Sequence, residues 1–336
     1  MTSANENRLV GIDVLRGIAS LAVCWFHMTN TYGENSIARS SGHYGWLGVE
    51  VFFVLSGFII PYAMHMGGYT FKHEWKAFIG KRILRIEPPY LLSVLMVFVL
   101  WHASSMAPGF KGAMPVDFLS AQTLLHLGYL NGIAGYPWLS PVYWTLAIEF
   151  QFYLLVSFFF GWLAHKNLAI VLLADALLLG MALVLDSEVF VFKYLGLFMF
   201  GIATFQYKTG IIQRGVLVLL MGMATLVAGL ALGWLIATVG LITGILVAFD
   251  LNLGKNKFAI WLGTISFSLY LVHVPVGGRV VNLGRRYVES QAGEIMLSLG
   301  ALLVSLAAAY FFYLMIEKPS QGLAARLKYS RPAETR

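Results

Sequence analysis

A few ionisable side chains sit inside long apolar runs of this 336-residue chain, and their types suit acid–base and anion chemistry. Asp13, Arg16, Ser20 and His27 occupy the first run. At 100° per residue, the eleven-residue step from Arg16 to His27 returns to within about 20° of the same direction, so the four share one helical stripe. Its two ends stand roughly 16 Å apart. Glu50, Glu149 and His273 fall in later runs at the depth of His27, and Ser266 and Tyr270 share a face with His273 at i, i+4, i+7 spacing. Two imidazoles and two carboxylates are therefore expected to converge. Histidine titrates near neutrality, which suits His27 to take a proton from an attacking hydroxyl. Glu50 or Glu149 would orient the imidazole and stabilise its charged form, and the spacing leaves both open. The blander account of any one of these residues is an interhelical hydrogen bond that fixes packing.

A second polar group lies in Lys81-Arg82-Ile83-Leu84-Arg85, followed by Glu87-Pro88-Pro89. Arg82 and Arg85 are three apart and so neighbours on one helix face. Two guanidiniums suit a phosphate or pyrophosphate, because each can make bidentate bonds. A basic cluster at a helix end is also what membrane topology produces unaided. The single cysteine, Cys24, lies three residues before His27 on nearly the same face. A Cys–His pair supports covalent catalysis, but free cysteine usually packs like a small apolar group, and Cys24 is expected to do so. One cysteine also excludes an internal disulfide and any multi-cysteine metal site, and no metal is expected.

The elements that hold these residues follow from composition. The chain is 59% hydrophobic and 12% charged, with mean hydropathy +0.75. A soluble domain carries about a quarter charged residues, so a soluble globular enzyme is excluded. A spanning helix needs roughly 20 mostly apolar residues. Such runs fall at about 11–30, 46–64, 84–103, 142–164, 167–185, 189–206, 214–231, 233–250, 259–281 and 294–316. The fold class is therefore an all-α polytopic membrane bundle of about ten helices, in a single domain over 1–336. Lys72 to Lys81 reads as an amphipathic interfacial segment, and Phe118 to Gly132 as an interfacial helix or lid. The first eight residues are too short and too acidic for the basic region of a cleavable signal, so the first run is expected to be retained.

Of the 23 Lys and Arg, Arg16 lies in the first span. With a cytoplasmic N-terminus, six others (Arg39, Lys111, Lys193, Arg279, Arg285 and Arg286) face outward, and the remaining sixteen face inward. Both termini are then cytoplasmic, with short tails at about 1–10 and 317–336. The net charge of +7 is spread through loops and forms no basic tail, so nucleic acid is not an expected partner.

Six blocks in this order resemble those of the membrane acyltransferase 3 family. They are Arg16-Gly17 with His27 eleven residues after Arg16; Gly48-Val49-Glu50-Val51-Phe52-Phe53 through Ser56-Gly57-Phe58; Arg82-Ile83-Leu84-Arg85 with Pro88; Trp144-Thr145-Leu146 with Glu149 and Phe152-Tyr153; Ser266 through His273-Val274-Pro275; and Glu317-Lys318-Pro319. The resemblance implies transfer of an acyl group, commonly acetyl, from cytoplasmic acyl-CoA to a hydroxyl. The acceptor would be an exopolysaccharide, O-antigen or other envelope glycan, a glycolipid or a small molecule, and the location a bacterial cytoplasmic (inner) membrane. It places His27, Glu50, Glu149 and His273 at the chemistry and Arg16, Arg82 and Arg85 on the donor, with Asp13, Ser20, Ser56, Tyr270 and Glu317 supporting them. Many relatives carry an extra C-terminal hydrolase-like domain, which is not expected here. Direct transfer is favoured over a covalent acyl-enzyme at Cys24. Aromatics between Tyr129 and Trp144, including Tyr136 and Trp138, could stack on sugars, although interfacial belts have the same composition. A proton-coupled transporter or flippase would also place His and Glu within the membrane.

Overall fold

A computed structural model describes residues 3–106, 115–250 and 256–329. Of the described residues, 81% are helical and none is in a strand. Its helices are α1 (Ser3–Thr29), α2 (Ile37–Gly42), α3 (Gly48–Met66), α4 (Phe71–Ser105) and α5 (Ala121–Leu124). Next come α6 (Tyr143–Leu163), α7 (Leu168–Val184), α8 (Leu195–Lys208), α9 (Arg214–Leu232) and α10 (Trp234–Ala248). The last are α11 (Lys257–Val272), α12 (Gly278–Gly284), α13 (Gln291–Phe312) and α14 (Lys318–Arg326). Each expected apolar run falls on helix. Among the described residues, seven helical segments are long and apolar enough to cross a membrane, while α7 and α10 are apolar but shorter. The segment α8 has 14 residues.

One expectation is corrected. Lys72 to Lys81 is not a separate interfacial piece but the first part of α4, which runs unbroken for 35 residues. Pro88 and Pro89 lie inside it. They cannot donate to the carbonyls of Leu84 and Arg85 four residues earlier, so the helix survives with two of its internal bonds missing.

Glycine sets the closest helix contacts. A Cβ on Gly263 of α11 would stand 2.1 Å from the backbone oxygen of Asp13, and one on Gly17 of α1 would stand 2.8 Å from that of Ala259. The same device joins α3 to α8. A Cβ on Gly57 would meet the Phe198 oxygen at 2.2 Å, and one on Gly201 would meet that of Val54 at 2.2 Å. Small residues let backbones approach where no hydrophobic force separates helix from lipid. Two apolar clusters result. One gathers Phe53, Phe58, Phe152, Phe198 and Phe200 with the α7–α10 side of the bundle. The other gathers Val23, Met28, Tyr90, Tyr143, Leu269 and Ala301.

Two π-helical turns interrupt the C-terminal half, at His273–Gly277 and Tyr313–Glu317. Each carries an expected site residue, His273 or Glu317, with a proline two positions on, Pro275 or Pro319. A proline lacks the N–H that an α-turn requires, and π turns often occur at functional sites.

Gly263→Ala should force α1 and α11 apart and cost at least the ~1–3 kcal/mol of an overpacked core. Thermal unfolding of the detergent-solubilised protein reads this as a lowered midpoint. Gly161→Ala, where a Cβ meets nothing within 4 Å, should be neutral or slightly stabilising.

Candidate active site

The seam between the two apolar clusters holds a cavity of about 110 Å³. Its polar wall is Arg16 from α1, Ser56 from α3, Arg82 and Arg85 from α4, Thr145, Glu149 and Tyr153 from α6, Ser266 and Tyr270 from α11, and Glu317. Ion pairs among the described residues join Lys193 to Asp186 and Glu188, and Lys208 to Asp250. None of the three cavity guanidiniums takes part in one. The Arg82 guanidinium lies 5.3 Å from the centre of the Phe78 ring and 5.5 Å from that of Tyr153, and its Nε is buried without a hydrogen-bond partner.

The acids beside these cations are held by other groups. Ser56 Oγ donates to Glu149 Oε1 at 2.7 Å. Glu317 Oε2 accepts from Ser268 Oγ at 2.5 Å and from its backbone N–H at 3.1 Å, while Oε1 accepts from Gln321 at 2.8 Å. Both carboxylates act on Arg16 through space, and Glu149 also acts on Arg82. They moderate the positive field without capping the guanidinium forks. Such a site can take a multivalent oxyanion by charge-assisted, bidentate hydrogen bonds.

His27 lies elsewhere. It lines a second cavity of about 280 Å³ at the far end of α1, with Asn30, Thr31, Ser140, Arg279 and Asn282. No lining residue is common to the two cavities. Between them stand Tyr270 and His273. The Tyr270 hydroxyl lies 2.6 Å from Thr145 Oγ1, and its ring is 6.0 Å from that of His273. The His273 ring is in turn 5.2 Å from that of His27. Fully buried His273 pairs Nδ1 with the Leu269 carbonyl at 2.9 Å. A carbonyl can only accept, so Nδ1 carries the proton. Nε2 is left buried and unpartnered.

The expected convergence thus divides. His27 and His273 come together. Glu149 joins Arg16, Arg82, Arg85, Ser56, Tyr270 and Glu317 in the other cavity. Glu50 lines neither cavity; it is buried, with Oε2 unpartnered, near Tyr194 and Tyr270. Ser20 is spent on its own helix, donating to the Gly17 carbonyl at 3.0 Å. Asp13 lies within the field of Arg16 and Arg85 but lines neither cavity. Cys24 is fully buried and lines neither cavity, so it packs as expected.

Several participants escaped sequence reasoning. Tyr153 and Thr145 stand in a quoted block but carried no assigned role. Arg279 was counted only as a topology residue. Asp175 and Gln206, buried in α7 and α8, share a 2.9 Å hydrogen bond. A lone Asp in the apolar run Leu168–Val184 was the signal for that pair.

Leu139 and Ser140 line the His27 cavity and end a segment from Ala121 that is clipped by His126. Its Nδ1 donates to the Gln122 carbonyl at 2.8 Å, and its Nε2 accepts from the Leu139 N–H at 3.2 Å. Trp138 packs edge-on against the same ring.

The family of the Acyltransferase domain matches residues 9–314 of this chain. The protein belongs to that family. Among the relatives it resembles, O-acetyltransferase OatA of Staphylococcus aureus is 29% identical over 165 residues, which is 47% of this chain and 26% of OatA. BcsY of Komagataeibacter xylinus, described by name as a membrane-bound transacylase, is 31% identical over 160 residues, 45% of this chain and 37% of BcsY. ORF330 of Acidianus two-tailed virus, named as an acetyltransferase, is 31% identical over 161 residues, 46% of this chain and 42% of that protein. The chain therefore matches less than half the length of each. No solved structure matches it significantly.

Burial holds His126 below its ordinary value of 6.5. A folded value below the unfolded one means that the unfolded segment takes up its proton first. The stability contributed by the clip is therefore full above about 6.5 and lost as pH falls through the lower folded value. Limited proteolysis of the 115–140 segment should accelerate on acidification in the wild type. His126→Phe should be cleaved fast at every pH.

Proposed function

We propose that the chain is an integral membrane O-acyltransferase of the bacterial cytoplasmic membrane. It crosses with about ten helices and has both termini in the cytoplasm. It takes an acyl group, acetyl being the commonest in such enzymes, from cytoplasmic acyl-CoA. It delivers that group to a hydroxyl of an exopolysaccharide, O-antigen or other envelope glycan. The observation that supports this reading is the separation of a cavity with three guanidiniums free of ion pairs from a cavity lined by His27, whose ring lies against that of His273. A CoA thioester has the matching shape: an anionic nucleotide that must stay at one face, and a long, thin, uncharged pantetheine arm that can enter the bundle.

In this reading Arg82, Arg85 and Arg16 hold the phosphates, and the arm passes Tyr270 toward His27. His27 removes the proton from the acceptor hydroxyl as its oxygen attacks the thioester carbonyl. The C–S bond then breaks, the thiolate leaves and is protonated, and an ester and free CoA result. His273, rather than a carboxylate, is the neighbour that positions His27. Glu149 and Glu317 keep the arginines oriented and moderate their field.

His27→Ala should lower turnover by about 10²–10⁴-fold, the usual loss on removing a general base. Acetyl-CoA binding should be retained. Transfer of radiolabelled acetyl and a thermal shift with acetyl-CoA separate the two effects. A His27→Ala protein that keeps most of its turnover would overturn the assignment.

The Arg82→Ala/Arg85→Ala double variant should bind CoA at least about tenfold more weakly, with the difference greatest at low salt, where exposed charge contacts are screened least. Arg85→Lys should restore binding in part, because an ammonium lacks the bidentate fork. Isothermal titration with CoA at two salt concentrations measures both. Unchanged binding in a folded double variant would remove the donor site.

A further inference from the structure

The His27 cavity contains one formal charge, Arg279, and no acid lines it. The other half-buried cations outside the donor cavity have partners among the described residues, Lys81 over the Tyr329 ring among them. Lys193 has Asp186 and Glu188, Lys208 has Asp250, and Arg39 donates to the Tyr32 carbonyl at 3.0 Å. Arg285 and Arg286 follow in the next turn but are exposed, and water satisfies them. Arg279 is half-buried, and none of the hydrogen bonds, ion pairs or ring contacts among the described residues involves it. A guanidinium has five N–H donors and cannot shed its charge. One held in a cleft lined by no acid is poised for an anion.

Its support is rigid. Arg279 is the second residue of α12, which starts where the π turn carrying His273 ends. Gly277, at that junction, packs so closely that a Cβ would stand 2.2 Å from Ser305 Oγ and 2.7 Å from Met28 Sδ. Arg279 is thus fixed relative to the imidazole pair rather than carried on a free loop. Asn30, Ser140 and Asn282 line the same cavity and supply neutral hydrogen-bonding groups. A cleft with one cation and several amide or hydroxyl groups matches a sugar that bears an anionic substituent.

Charge balance points the same way. When a base takes a proton beside an uncompensated guanidinium, the two cations repel each other across the cavity. An oxyanion bound at Arg279 removes that repulsion during proton transfer.

We infer that Arg279 determines acceptor specificity: the molecule that presents its hydroxyl to His27 also carries a phosphate or carboxylate, which Arg279 binds. The inference rests on the acyltransferase reading above and narrows its acceptor class to anionic glycans or phosphate-linked saccharides. Arg279 acts on binding, so its removal should raise KM for anionic acceptors far more than it lowers kcat.

The test uses the full chain in detergent with three acceptor probes: methyl glucuronide, glucose 1-phosphate and methyl glucoside. Binding is read by thermal shift, and transfer from radiolabelled acetyl-CoA is read with the same probes. The wild type should bind at least one anionic probe about tenfold or more tightly than methyl glucoside. The two anionic arms distinguish a carboxylate from a phosphate. Arg279→Gln should erase the preference, Arg279→Lys should keep part of it, and the exposed-site control Arg285→Gln should keep it all. Equal binding of all three probes by the wild type, no binding of any, or a preference that survives in Arg279→Gln each overturns the inference. Acetyl-CoA is titrated in the same samples. A shift with acetyl-CoA but none with anionic sugars defeats this inference alone, whereas no response to acetyl-CoA defeats the acyltransfer reading itself.

Discussion

Three guanidiniums inside an apolar bundle, left without ion-pair partners, are the constraint on which the rest of the arrangement depends. A charge inside hydrocarbon is costly unless it faces protein or water. The bundle meets that cost by opening a polar cavity at the seam of its two apolar clusters. The neighbouring acids could have closed the guanidiniums off. Instead Ser56 holds Glu149, and Ser268 and Gln321 hold Glu317. Two serine hydroxyls thereby keep the cationic surface available.

The positions of these groups rest on backbone geometry more than on side-chain packing. The contact of Gly263 with the Asp13 carbonyl fixes α1 against α11, and so fixes Arg16 relative to Tyr270 and His273. The contacts at Gly57 and Gly201 fix α3 against α8 and set the wall that carries Ser56. The two π turns then adjust the ends of α11 and α13, which places His273 beside His27 and Glu317 beside Ser268. A shift along either crossing would move cations and imidazoles together. The site is a property of helix spacing.

Much of this was legible in the sequence, because membrane helices advertise themselves by length and apolarity and an intramembrane charge stands out against them. The Arg16–His27 stripe and the shared face of Arg82 and Arg85 needed only the helical period. Depth arguments were less faithful. They set Glu50, Glu149 and His27 at one level, but level says nothing about which way a side chain faces, and Glu149 faces the arginines while Glu50 lines neither cavity. The continuity of α4 from Phe71 was hidden because the charged stretch Lys72 to Lys81 lacks the apolarity by which a span is recognised. The role of Arg279 was hidden for another reason. On an outer segment a basic residue is first read as a topology signal, and only the cavity shows that it lacks a partner. The serines that hold the acids are too common in helices to stand out.

The absence of a wall residue common to the two cavities bears on the barrier function of the membrane itself. A continuous aqueous path through the bundle would conduct protons and small ions and dissipate the gradient that the membrane maintains. Here Tyr270 with Thr145, and His273 beyond it, lie between the polar spaces. In the proposed reading, a covalently carried group would cross from one compartment to the other with no open water path between the two cavities.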